Sequence, residues 1–100
     1  MRIAATYDDG NVAESFGQAT QFKLYLVDEG EIFNSMVIDA DGISYTARVQ
    51  SLKARKVDTL ICGSLNDEAR AVLDEAGITC HTGVTGSADD AAQALVENRL

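Results

Sequence analysis

"VDTLICGSLNDEARAVLDEAGITCHT", residues 57–82, decides the fold. It opens on a β-branched, apolar run, VDTLIC (57–62), and closes on a second, ITCHT (78–82). Between them Leu65, Ala69, Val72, Leu73 and Ala76 recur at helical spacing, so one side of a helix is apolar. Gly77 stands where such a helix stops. Strand, helix and strand in this order join two parallel strands through a right-handed crossover. At the start of the helix Ser64-x-x-Asp67 fits a capping box, with Asn66 as a competing cap. Ser87-x-x-Asp90 repeats the device before Ala88, Ala91, Ala92, Leu95 and Val96, the stripe of a last helix.

Upstream the period is two. RIAATY (2–7) reads as a short buried strand. QFKLYLVD (21–28) alternates Phe22, Leu24 and Leu26 against Lys23, Tyr25 and Val27. EIFNSMVID (31–39) follows at once, and Asp28-Glu29-Gly30 supplies a tight turn, so a β-hairpin is expected. Tyr45, Val49 and Leu52 mark a helix within about 44–56. The order βββαβαβα predicts an α/β fold, a mixed sheet covered by helices, with strand 2–7 beside and parallel to 57–62.

One hundred residues make about one domain, and 46% hydrophobic residues suffice to fill its core. The net charge of −8 argues against nucleic acid, whose phosphates need a surplus of Lys and Arg. The apolar runs fall short of the roughly 18 residues that span a bilayer, so no membrane is expected. Residues 1–7 are too short and polar for a signal peptide, and two cysteines without such a signal point to reduced thiols in a cytoplasm.

The only histidine, His81, adjoins Cys80. Neighbours on a regular strand face opposite ways, so the two cannot ligate one ion together. Cys80 is expected in the core beside Ile78. Cys62 differs: it ends its strand at the mouth of a helix N-terminus, where a thiolate would be favoured. Ligands of open α/β sheets bind outside the carboxyl ends of the parallel strands. The segments leaving those ends, 8–20, 63–66 and 83–87, all contain glycine, and two helix N-termini open among them. Asp8, Asp9 and Glu14 raise the alternative of a metal-dependent hydrolase. Two-metal chemistry, however, needs carboxylates converging from several elements, not one acidic loop.

DGNVAESFGQATQF (9–22), LICGSLNDEARAVLDEAGI (60–78) and TGVTGSADDAAQAL (82–95) resemble the dinitrogenase iron–molybdenum cofactor biosynthesis family. That family includes the NifX- and NafY-like carriers and the C-terminal domain of NifB. The resemblance runs over nearly the whole chain in order and spacing. It implies one domain over residues 1–100 with a ribonuclease-H-like fold. Its sheet would be five-stranded and mixed, in order 3-2-1-4-5, with helices on both faces. It also implies a non-catalytic carrier of a metal–sulfur cluster, the iron–molybdenum cofactor or a related one, that meets cluster donor and acceptor proteins. The cofactor-binding positions carried over are Ser15, Phe16, Gly17, Cys62, Gly63, Ser64, Gly83 and Gly86, with Cys62 as the metal ligand.

The departures bear on the ligands. Family members commonly read His-Phe-Gly-x-Ala where this chain has Ser15-Phe16-Gly17-Gln18-Ala19, and serine is a poor ligand for a sulfur-rich cluster. The family's CGG-x-G-x-G-A becomes Cys62-Gly63-Ser64-Leu65-Asn66-Asp67-Glu68-Ala69, and DADGISYTA (39–47) replaces a Gly/His-rich stretch. The alternative function is a protein-interaction or regulatory module that has lost cluster binding. Its surface would be the basic cluster Arg48, Lys53, Arg55 and Lys56, which otherwise reads as one solvated helix face and its exit. A monomer or weak homodimer is expected.

Overall fold

Asp9-Gly10 and Glu29-Gly30 each place two consecutive residues at positive φ, 46° and 92° in the first pair, 52° and 76° in the second. That is the backbone of a two-residue hairpin turn whose twist matches its strands. In the computed structural model, which describes residues 1–40 and 44–100, the first turn folds β1 (Arg2–Asp8) back onto β2 (Asn11–Val12). The second joins β3 (Gln21–Asp28) to β4 (Glu31–Asp39). There follow α1 (Tyr45–Ala54), β5 (Thr59–Ile61), α2 (Asp67–Glu75), β6 (Thr79–His81) and α3 (Ala88–Val96). Residues 41–43 of the DADGISYTA stretch lie outside the described residues.

The sheet is mixed and six-stranded, which corrects the expected five. Its path runs β4-β3-β1-β5-β6, and the additional strand β2 pairs β1 off that path. β1 lies parallel to β5, with Ala4 opposite Leu60, and antiparallel to β3. β5 and β6 are parallel, with Leu60 opposite Cys80. So the carboxyl ends of β1, β5 and β6 share one margin.

Strand alternation fills both faces. Ala4, Phe22, Leu24, Leu60 and Cys62 turn to one side, where Val49 and Leu52 of α1 and Ala69 and Leu73 of α2 cover them. Ile3, Ala5, Tyr25 and Ile61 turn to the other, under Ala88, Ala91 and Ala92 of α3. Small alanines let α3 approach closely. The caps follow from side-chain chemistry: Ser44, Asn66 and Ser87 accept the first-turn N–H groups of Ala47, Ala69 and Asp90. Asn66 thus prevails over Ser64, which is drawn into the loop contacts described next.

Candidate functional site: the carboxyl margin of the sheet

Three loops leave this margin, and their backbones are bonded to one another. Phe16 N–H donates to Ser64 O at 3.1 Å, and the Ser64 amide and hydroxyl both donate to Glu14 O. Gly83 N–H reaches Gly63 O at 2.7 Å, and Val84 N–H reaches Cys62 O at 3.3 Å. Val12 N–H donates to Gly86 O and Ala88 N–H to Gly10 O. These loop amides satisfy carbonyls of the protein and are not free to bind an anion. Gly63 is required here by close approach: a Cβ would stand 2.6 Å from Glu14 O and 2.8 Å from Glu14 Cα.

Beside this seam opens a cleft of about 400 Å³, lined by Tyr7, Asp8, Ala13, Glu14, Ser15, Gln18, Ala19 and Thr20. Among the lining residues Tyr7, Ser15, Gln18 and Thr20 have hydrogen-bonding side chains, and Asp8 and Glu14 have carboxylates. Behind the loop, Arg48 of α1 is buried and its Nη1 donates to Ala19 O at 2.6 Å and Phe16 O at 3.3 Å. Its buried Nε has no hydrogen-bond partner among the described residues. Arg48 therefore leaves the basic face assigned to it from the sequence. Lys53, Arg55 and Lys56 alone remain exposed. A guanidinium at the position of a solvated charge is a packing element that fixes the 16–19 turn.

The positions singled out from the sequence separate into distinct environments. Ser15 lines the cleft and forms an isolated parallel bridge to Ser64. Phe16 is wholly buried, its ring 5.8 Å from that of Phe22 and 6.3 Å from that of Tyr45. Gly17 lies against the Tyr45 ring, where a Cβ would come within 2.9 Å. Gly83 and Gly86 hold positive φ with open space around them. Cys62 stands one residue beyond the end of β5, not at its last position as expected, and its side chain is 0% exposed and packs in the core. Burial first, then neighbouring Cys80 and Glu14, push its thiol up to about 11, against a smaller opposing effect of Arg70. Cys80 packs on the same core, half-buried rather than fully buried because β6 is the edge strand on that side. Burial raises its thiol as well. Among the described residues no group of three or more His, Cys, Asp or Glu gathers as a metal site would.

One polar cluster escaped the sequence reading. Tyr25 Oη and Lys23 Nζ both donate to Asp89 Oδ1, at 2.7 and 2.8 Å. Lys23 Nζ also lies 5.6 Å from the centroid of the Tyr7 ring that walls the cleft. Its hydrogen bonds, Lys23 first, hold the Asp89 carboxyl below the usual range, while burial raises the Tyr25 phenol. Lys23 and Tyr25 share one strand face with period two, and that was the available signal. Their acceptor, distant in sequence, was not.

Across the chain, the family model described as "Dinitrogenase iron-molybdenum cofactor" matches residues 1–98. The chain belongs to this family. Membership links it to the handling of that cofactor. A curated relative, an uncharacterized protein of Methanocaldococcus jannaschii, is 26% identical over 107 residues, spanning 100% of this chain and 89% of the relative. Among solved structures, a Thermotoga protein provisionally designated NifB is 27% identical with a TM-score of 0.74, covering 98% of this chain and 89% of its own. The apo form of the orange protein from Desulfovibrio gigas is 24% identical with a TM-score of 0.84, over 98% and 88% of the two chains. A Methanocaldococcus jannaschii protein provisionally designated a dinitrogenase gives 0.84 at 20% identity, over 100% and 91%. At those last two identities the likeness is one of fold.

Proposed function

We propose that this chain is a non-catalytic cargo binder of its family, taking a metal–sulfur cluster into the cleft beside Ser15 and holding it loosely. The observation that carries the reading is that cleft: about 400 Å³ at the carboxyl margin, with Ser15 where the resemblance places a histidine. Its volume falls in the range of small-ligand sites. Tyr7, Ser15, Gln18 and Thr20 offer hydrogen-bond donors to cluster sulfides, but neither imidazole nor thiolate reaches the cleft wall. A soft cluster prefers such ligands, so retention rests on shape and hydrogen bonds. Asp8 and Glu14 further weaken it by repelling an anionic cargo.

The same carboxylates favour a second reading, in which cluster binding is lost and the chain acts through a protein partner. Anaerobic incubation with tetrathiomolybdate and ferrous iron, followed by gel filtration, separates the two. The cargo-binding reading expects colour in equilibrium with the protein at high reagent concentration that dissociates on the column. Absence of any protein-bound absorption at equilibrium would leave the interaction module.

A further inference from the structure

Helix α1 ends at the amino-terminal side of the parallel strands, the end of the sheet away from the cleft. Its C-cap is Arg55, and the turn closes with the two bonds of a Schellman motif. Lys56 N–H donates to Lys53 O at 2.9 Å and Val57 N–H to Leu52 O at 3.1 Å. Arg2, at the start of β1, reaches this turn, and its Nη1 donates to Arg55 O at 2.9 Å. The fold thus gathers Arg2, Lys53, Arg55 and Lys56, all exposed, at one corner. Along β1 that corner stands about 20 Å from Asp8 of the cleft wall.

These four make up half of the chain's 8 Lys and Arg, set against 16 Asp and Glu. Among the described residues the salt bridges are Lys23–Asp89 and Arg99–Glu97, and neither involves the corner. Asp58, the nearest carboxylate in the chain, accepts from Arg2 N–H and from the Thr59 hydroxyl, both neutral donors. Lys56 adds a separate sign. It holds φ 62°, the left-handed position that glycine usually fills at such helix ends, and a lysine Cβ is strained there. A side chain kept in a backbone conformation that resists it points to a use for that side chain. Beside the corner, between α1 and α2, lies a groove of about 350 Å³. Lys53 lines it together with the apolar Val49, Val72 and Ala76.

We infer that this corner is a docking surface for an acidic segment of a partner protein. Carboxylates of the segment meet Lys53, Arg55, Lys56 and Arg2, and an apolar side chain enters the groove. Charge complementarity selects the partner: the corner is the cationic part of a chain whose net charge is −8. Protein is favoured over nucleic acid, because a phosphodiester leaves the apolar groove unfilled. Glu75, in the groove with Lys53, and Asp28, beside Arg2, would also repel phosphates running on past the corner. The inference does not depend on cargo. The two surfaces lie at opposite ends of β1, so one chain can hold a partner at one and a cluster at the other.

Fluorescence anisotropy without any cluster reagent tests this apart from cargo binding. The probe is a fluorescein-labelled peptide of eight glutamates around two central leucines. It binds at about 50 mM salt, and about 300 mM salt weakens it by about fivefold. Lys53→Gln, Arg55→Gln and Lys56→Gln together weaken it by about tenfold, as the loss of several exposed ion pairs requires. Arg70→Gln, the same type of charge change on exposed α2, stays within about twofold of wild type. Lys56→Gly separates binding from folding. It loses about threefold in affinity while its Tm holds or rises, because glycine relieves the left-handed position. A labelled ten-nucleotide thymidine strand binds about fivefold more weakly than the peptide. The inference is overturned if the peptide fails to bind at about 1 mM protein. It is overturned equally if the triple change and Arg70→Gln act alike, if Lys56→Gly keeps full affinity, or if the thymidine strand binds as tightly as the peptide.

Discussion

At the carboxyl ends of β1, β5 and β6 the backbone is bonded to itself, whereas β4, charged only at its two ends, has an outer edge that no strand among the described residues pairs. The first region carries the family's glycines and its cysteine, yet Gly63 is pressed on Glu14 and Cys62 is sealed in the core. The second carries no motif, yet its Phe33, Met36 and Val37 side chains are exposed. Family motifs here describe how the margin is built; they do not measure how open it is. Ligand capacity has to be read from which polar groups remain uncommitted.

The contrast should be large in stability. Gly63→Ala forces a Cβ into the Glu14 backbone and is expected to cost about 3 kcal/mol, the upper range for overpacking. For a domain of this size that lowers Tm by roughly 12–24 °C, readable by calorimetry. A loss below about 0.5 kcal/mol would mean that the seam between loops 13–16 and 63–64 is not rigid. Next comes Arg48→Met, which removes two hydrogen bonds from a charged donor to the 16–19 turn. Its expected cost is about 2 kcal/mol, with hydrogen exchange rising in residues 15–20 before the rest of the chain.

Cys62 predicts a pH dependence of the same order. Its folded-state value, about 11, lies above the ordinary 9.0, so folding favours the neutral thiol. That contribution is full below pH 9 and is lost as pH rises through about 11, a change on the order of 2 kcal/mol. The raised Tyr25 phenol acts with the same sign, so urea melts of wild type and Cys62→Ala should be compared as a difference. The gap between them should narrow as pH rises from 9 to 11; a constant gap would place Cys62 in a solvated environment. At the small end, Phe33→Ala should alter monomer stability by no more than about 0.5 kcal/mol, because the side chain is mostly in water. A larger loss would show that β4 is held from outside the sheet.

Much of the fold was legible because it rests on local periodicity. The 57–82 unit gave its strands and helix directly, and alternation in 21–28 separated Phe22 and Leu24 from Tyr25, which face different cores. β2 was missed although Asp9-Gly10 is a strong two-residue turn signal, because a two-residue strand has no period to detect. The site was less legible. Chain position located Ser15 and Cys62 at the right margin, but burial is set by tertiary neighbours. Cys62 follows the buried Leu60 on a strand face, and that alternation turns its sulfur inward. Arg48 failed for the mirrored reason: a charge read as solvated was recruited by the carbonyls of Phe16 and Ala19, which no spacing announces.

The central claim is that the cleft holds cargo without a ligating side chain, and one paired measurement tests it. Ser15→His and Cys62→Ala are loaded anaerobically beside wild type with tetrathiomolybdate and ferrous iron, desalted, and read by visible absorption and metal-to-protein ratio. Both substitutions are first checked for folding by circular dichroism. Imidazole at residue 15 supplies a nitrogen donor at neutral pH, so Ser15→His should retain colour that wild type loses. Cys62→Ala should behave as wild type. Tight retention by wild type that Cys62→Ala abolishes and Ser15→His does not change would contradict the claim, because the buried thiol would then be the ligand.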